Sequence, residues 1–98
     1  MPAFVVGSIR VTDPAQWQGY VERVGATFGS HGGKVVFRGR KSAALNGEAH
    51  GESLVVIEFP DAEAARRWHD SPEYQSLVAR RDAGADVVLT IYEAPAAR

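Results

Sequence analysis

Apolar and polar positions alternate along Ala3–Val11, with Val5, Gly7, Ile9 and Val11 on one side and Phe4, Val6, Ser8 and Arg10 on the other. A period of two predicts a first strand. Thr12-Asp13-Pro14 then marks a helix start, with Asp13 as N-cap and Pro14 at the first helical position, where its missing N–H does no harm. Trp17, Tyr20, Val21, Val24 and Phe28 recur at helical spacing, so the apolar pattern narrows to one face of a helix. Gly32-Gly33 ends it, because glycine accepts the left-handed cap conformation.

Lys34–Leu45 returns to the strand pattern, with Val35 and Phe37 on one face and Val36, Arg38 and Arg40 on the other. A bend or bulge is expected at Gly39. Asn46-Gly47 is a turn signal, and Glu48–Glu52 makes the connection longer than a tight hairpin. Leu54–Phe59 reads as a third strand, stopped by Pro60. Asp61 caps a short helix that turns Trp68 onto the sheet, and Ser71-Pro72 restarts a helix carrying Tyr74, Leu77, Val78 and Arg81. The helical pattern breaks at Gly84, Val87–Glu93 reads as a fourth strand, and Ala94–Arg98 as a loose tail.

The order β-α-β-β-α-β defines an α+β, ferredoxin-like sandwich. Right-handed crossovers place both helices on one face of a four-stranded antiparallel sheet. The 98 residues suffice for one domain spanning 1–98 and are too few for two hydrophobic cores. The helix-facing set, Val5, Ile9, Val35, Phe37, Val55, Ile57, Phe59, Val87, Leu89 and Ile91, is uniformly apolar. The opposite face combines Phe4, Val6, Leu54, Val56 and Val88 with Arg10, Arg38, Arg40, Glu58 and Tyr92. Such a face is too apolar to be left in water and too polar for a plain core. A second copy of the chain covering it is the expectation, giving a homodimer whose polar members line a cavity.

Charge and composition narrow the partners. A net charge of −1 offers no electrostatic case for nucleic acid or an anionic membrane. No apolar run approaches the roughly 20 residues of a membrane span, and the N-terminus lacks a signal-peptide pattern, so a cytoplasmic location is expected. The absence of cysteine removes disulfides, thiol catalysis and thiolate metal sites together. His31, His50 and His69 stand at no metal-pair spacing, so neither a metal nor another cofactor is expected.

Glu58 is the conspicuous charge, because it interrupts an apolar central strand and needs a partner there. Arg10, Arg38 and Arg40 fall on the same face by alternation, so an ion pair with one of them is expected. Glu58 is therefore a candidate acid or base, with His31, at a helix end near the cavity rim, as a second. Arg10, Arg38, Arg40 and Tyr92 are the candidate ligand contacts, since guanidinium groups make paired bonds to carboxylates. A purely structural ion pair accounts for the same residues equally well.

The stretch VVIEFPDAEAARRWHDSPEYQSL resembles the signature of the domain of unknown function 1330 family, and the likeness continues through MPAFVVGSIRVTDPAQWQGY and HGGKVVFRGR. The resemblance implies membership of the dimeric α/β barrels, in which two such sheets close face to face. That superfamily includes cofactor-independent monooxygenases, haem-degrading enzymes and small lactone isomerases, and no motif of this chain selects among them. The expectation is thus a homodimer binding a small, anionic organic molecule between sheet faces, in the role of a cofactor-independent enzyme. The competing expectation is a non-enzymatic binding or interaction module with its interior filled by side chains.

Overall fold

The computed structural model describes residues 1–95. Its elements are β1 (Ala3–Val11), α1 (Pro14–Phe28), β2 (Lys34–Arg40), β3 (Ser53–Phe59), α2 (Ala62–Asp70), α3 (Pro72–Gln75), α4 (Val78–Gly84) and β4 (Ala85–Glu93). The strands form one antiparallel sheet in the order β2-β3-β1-β4. This is the ferredoxin-like α+β arrangement, with the helices against one face.

The helix starts are where short polar side chains place them. Asp13 accepts from the Gln16 amide and Asp61 from the Ala64 amide. Ser71 accepts from the Tyr74 amide with Pro72 behind it. Each satisfies a backbone donor that the helix cannot. α1 tightens into a 3₁₀ turn at Gly29–His31 and stops at Gly32, whose φ of 81° is the left-handed cap expected of a glycine. The second helical region is divided into three, with a break at Ser76-Leu77 between α3 and α4. Of the expected tail, Ala94 is tied down by donating to the Pro2 carbonyl, and residues 96–98 lie outside the described ones.

The core lies where α2 and α3 meet the sheet. Trp68, Tyr74 and Phe59 are each no more than 1% exposed. Trp68 packs at 4.4 Å from the Tyr74 ring and 5.5 Å from that of Phe59. Their polar tips are paired: the Trp68 indole N–H donates to Thr27 Oγ1 at 2.9 Å, and the Tyr74 hydroxyl lies 2.9 Å from that of Tyr20. Arg81 donates to Tyr74 Oη as well. Burial, together with the neighbouring Tyr74 hydroxyl, pushes the Tyr20 phenol well above its ordinary pKa. Desolvation works against the Arg81 charge, but hydrogen bonds to Asp82 and Tyr74 outweigh it and raise its pKa.

β2 departs from expectation in two ways. It ends at Arg40, not Leu45, and its irregularity lies at Val36, not Gly39. Lys34 faces Glu58 and Val35 faces Ile57, but Phe37 then faces Val56, Arg38 faces Val55 and Arg40 faces Ser53. Val36 is one residue too many for the ladder, a β-bulge. Because side chains alternate, one extra residue moves all that follow to the opposite face. Phe37 goes to the helix-free face. Arg38 and Arg40 go to the helix side, with Val55 and Ile57.

Candidate functional site

α1 does not close over β2. The gap is a cleft of about 450 Å³, floored by Val35, Val55 and Ile57 of the sheet and walled by Trp17, Tyr20, Val24 and Phe28 of α1. Trp68 and Leu89 form its inner end, and Arg38 and Arg40 stand on its β2 side. Part of the opening comes from α1 itself. Gly25 lines the cleft, and a Cβ built there meets nothing within 4 Å. A glycine inside a helix is unfavourable by about 1 kcal/mol relative to alanine, and no neighbour demands this one. Its effect is to leave room.

Chemically, the cleft is an apolar slot with two guanidinium groups at its mouth. Both arginines are exposed, so each keeps its hydration until a ligand arrives. A volume of this size accepts a small organic molecule of two or three rings. An anionic substituent on such a molecule is matched by the planar, paired donors of arginine.

The bulge separates residues that strict alternation would have put together. Among the described residues, Glu58 has no arginine partner, and its cross-strand neighbours are Phe4 and Lys34. The expected pairing with Arg10, Arg38 or Arg40 is therefore corrected. Lys34 precedes the bulge and keeps the face of Glu58, whereas Arg38 and Arg40 follow it and change sides. Arg10 has a different partner, Asp86, which faces it on β4. Tyr92 is 57% exposed on the helix-free face, across from Phe4. His31, half-buried at the end of the 3₁₀ turn, does not line the cleft.

Sequence reasoning passed over His50 as a loop residue. The segment leading into β3 folds back so that His50 Nδ1 lies 3.0 Å from Ser8 Oγ and Nε2 lies 3.3 Å from Asp86 Oδ2. Nothing in one dimension joins residues 8, 50 and 86. The adjoining Gly51 is the one available signal. A Cβ there would overlap the backbone of Ile9, so only glycine lets the segment lie against β1.

A family model, Domain of unknown function (DUF1330), matches residues 2–95. The chain belongs to this family. Among solved structures, this DUF1330 member is similar to a protein of unknown function from Rhodopseudomonas palustris at 24% identity, with a TM-score of 0.80 over 96% of this chain and 82% of that one. It is also similar to SnoaB, a cofactor-independent oxygenase from Streptomyces nogalater, at 16% identity and a TM-score of 0.70 over 98% and 95% of the two chains. A dimeric ferredoxin-like protein of unknown function from Thermobifida fusca matches at 16% identity and a TM-score of 0.65, over 94% and 90%. At these identities the likeness is one of fold. No curated protein matches the chain. Among the described residues, no helix is long and apolar enough to cross a membrane.

Proposed function

We propose that this DUF1330 member binds a small, mainly apolar organic anion in the cleft between α1 and β2, with Arg38 and Arg40 holding the anionic group. The observation that carries this reading is the open slot of about 450 Å³ whose charged side chains are two arginines. The slot lies on the helix side of the sheet, whereas the expected cavity and its side-chain-filled alternative both concern the space between two sheet faces. Glu58 and His31 take no part in the reading, being absent from the cleft lining. Any reaction in the slot would use the arginines to stabilise negative charge developing on the bound molecule. SnoaB shares the fold and is an oxygenase, but fold alone carries no reaction across.

The working unit of this proposal is a homodimer joined through the helix-free face. Phe37 on one edge strand and Val88 and Tyr92 on the other are 52%, 46% and 57% exposed there, large apolar groups unfavourable in water. The dimeric Thermobifida relative of the same fold supports it. Light scattering of native protein should give twice the chain mass, and Val56→Asp in the middle of that face should give monomer or aggregate. A well-folded native monomer at micromolar concentration would exclude the dimer without touching the cleft.

The cleft is tested by calorimetric titration with 2-naphthoate and its neutral amide. Naphthoate should bind more tightly, and Arg38→Ala with Arg40→Ala should weaken it by about 10- to 100-fold, as loss of charge-assisted hydrogen bonds does. Equal binding of acid and amide, or no binding of either, would overturn the proposal.

A further inference from the structure

On the helix side of the sheet the α1–β2 cleft has a neighbour. A second, smaller hollow of about 180 Å³ lies between α2 and β4, with Val5, Ala65 and Ile91 among its walls. Trp68 and Leu89 line both spaces, so these two side chains form the partition between them. The strand register shows where that partition stands. Val87 pairs with Ile9 in the cleft, Ile91 pairs with Val5 in the hollow, and Leu89 pairs with Gly7 in the row between. Same-face rows are about 7 Å apart along a strand, so the hollow begins one row beyond the end of the cleft.

Gly7 gives the middle row its form. A Cβ built on it would lie 3.0 Å from Val55 Cγ1 and 3.1 Å from Leu89 Cδ2. Both neighbours therefore lean over the glycine, close to the backbone, from the strands on either side. The sheet floor is low at this point, and the Leu89 side chain is what fills it. The two halves of the partition are held differently. Trp68 is 1% exposed, with its indole N–H bonded to Thr27 and the Phe59 and Tyr74 rings against it. Leu89 is half-buried at the margin of that core.

We propose, resting on the reading of the cleft as an anion site, that Leu89 sets the length of the ligand, admitting compact ring acids and turning away elongated ones. With the anionic group held at Arg38 and Arg40 on β2, the apolar body crosses the sheet and meets Leu89 and Trp68 at the inner end. A further ring in line with the first two would have to enter the middle row, which Leu89 fills over Gly7. Specificity of this kind is steric: a longer molecule either leaves its far end in water or displaces the leucine. Cutting Leu89 back would join the cleft to the hollow, and the added ring would find apolar walls in Val5, Ala65 and Ile91.

The test is calorimetric titration of the full chain with 2-naphthoate and with 6-phenyl-2-naphthoate, which extends the same acid by one ring in line. Native protein should prefer naphthoate by about 10-fold or more, and Leu89→Ala should abolish or reverse that preference. Leu89→Val, a milder cut that leaves more of the packing in place, should shift the ratio in the same direction by a smaller factor. The comparison in native protein depends on no variant's folding. Equal binding of the two acids by native protein, or an unchanged ratio in a Leu89 variant that keeps a cooperative melting transition, would overturn the proposal. Failure of naphthoate to bind native protein would remove the cleft reading and the length limit together. Naphthoate binding with an unchanged ratio would remove the length limit alone.

Discussion

Where α2 and α3 meet the sheet, Trp68, Tyr74 and Phe59 are sealed and their polar atoms paired. Where α1 passes over β2, every β2 residue except Gly39 is exposed and an apolar slot stands open. The two regions share one sheet and contain similar residue types, including a tryptophan, a tyrosine and a phenylalanine from α1. Helix placement makes the difference. In the first region apolar area is spent on stability, and in the second it is left for something else to cover. Substitutions should therefore move stability in the first region and occupancy in the second.

The sharpest contrast comes from Trp68→Ala. Removing the most enclosed aromatic should cost about 3–5 kcal/mol. For a chain of this size that lowers the melting temperature by on the order of 15–30 °C, read by calorimetry. A change of only a few degrees would mean that the sealed region is not what holds the fold together. Tyr74→Phe is a finer cut in the same place. It keeps the ring but leaves the Tyr20 hydroxyl and one Arg81 donor without their partner, for a loss of about 1–3 kcal/mol by urea denaturation.

Gly25→Leu should act in the opposite sense. Leucine is the better helix former by most of 1 kcal/mol, and nothing obstructs its side chain, so the melting temperature should hold or rise by a few degrees. Naphthoate binding should disappear in the same protein. Retained binding would show that the slot is not the site.

The smallest effect belongs to neither region. Asp86 has its pKa lowered by Arg10 and His50, so its ionised form stabilises the folded state above the ordinary carboxylate range. That contribution is lost as pH falls through the lowered folded value. The urea midpoints of native protein and Asp86→Asn should differ at pH 6 and converge as pH falls below the ordinary carboxylate range. A constant difference across that range would mean that the charge is not what matters there.

Much of the fold was legible because its signals are local. Asp13-Pro14, Asp61 and Ser71-Pro72 announce helix starts from adjacent residues, and each cap forms as expected. The phase of β2 was not legible. Val35, Val36 and Phe37 are three apolar residues in a row, so alternation contains no mark of which one is surplus. Arg38 and Arg40 were singled out as candidate ligand contacts but assigned to the wrong face, and the supposed link to Glu58 went with that error. The Ser8–His50–Asp86 group was invisible for a different reason. It depends on contacts between residues far apart along the chain, which the strand pairing and the fold-back at Gly51 create together.

The bulge at Val36 also makes β2 a parity device. Deleting one codon there would restore an unbroken alternation and send both guanidinium groups through the sheet to the other side, with no change in charge or in composition beyond a single valine. Inserting a second residue at the same place would have the same effect on parity. A natural or engineered indel of one residue, which in most loops only changes a length, would here exchange a cation-lined slot for a cation-studded helix-free face. Chain length at this one position therefore decides which face of the sheet carries the two cations, whatever the side chains around it.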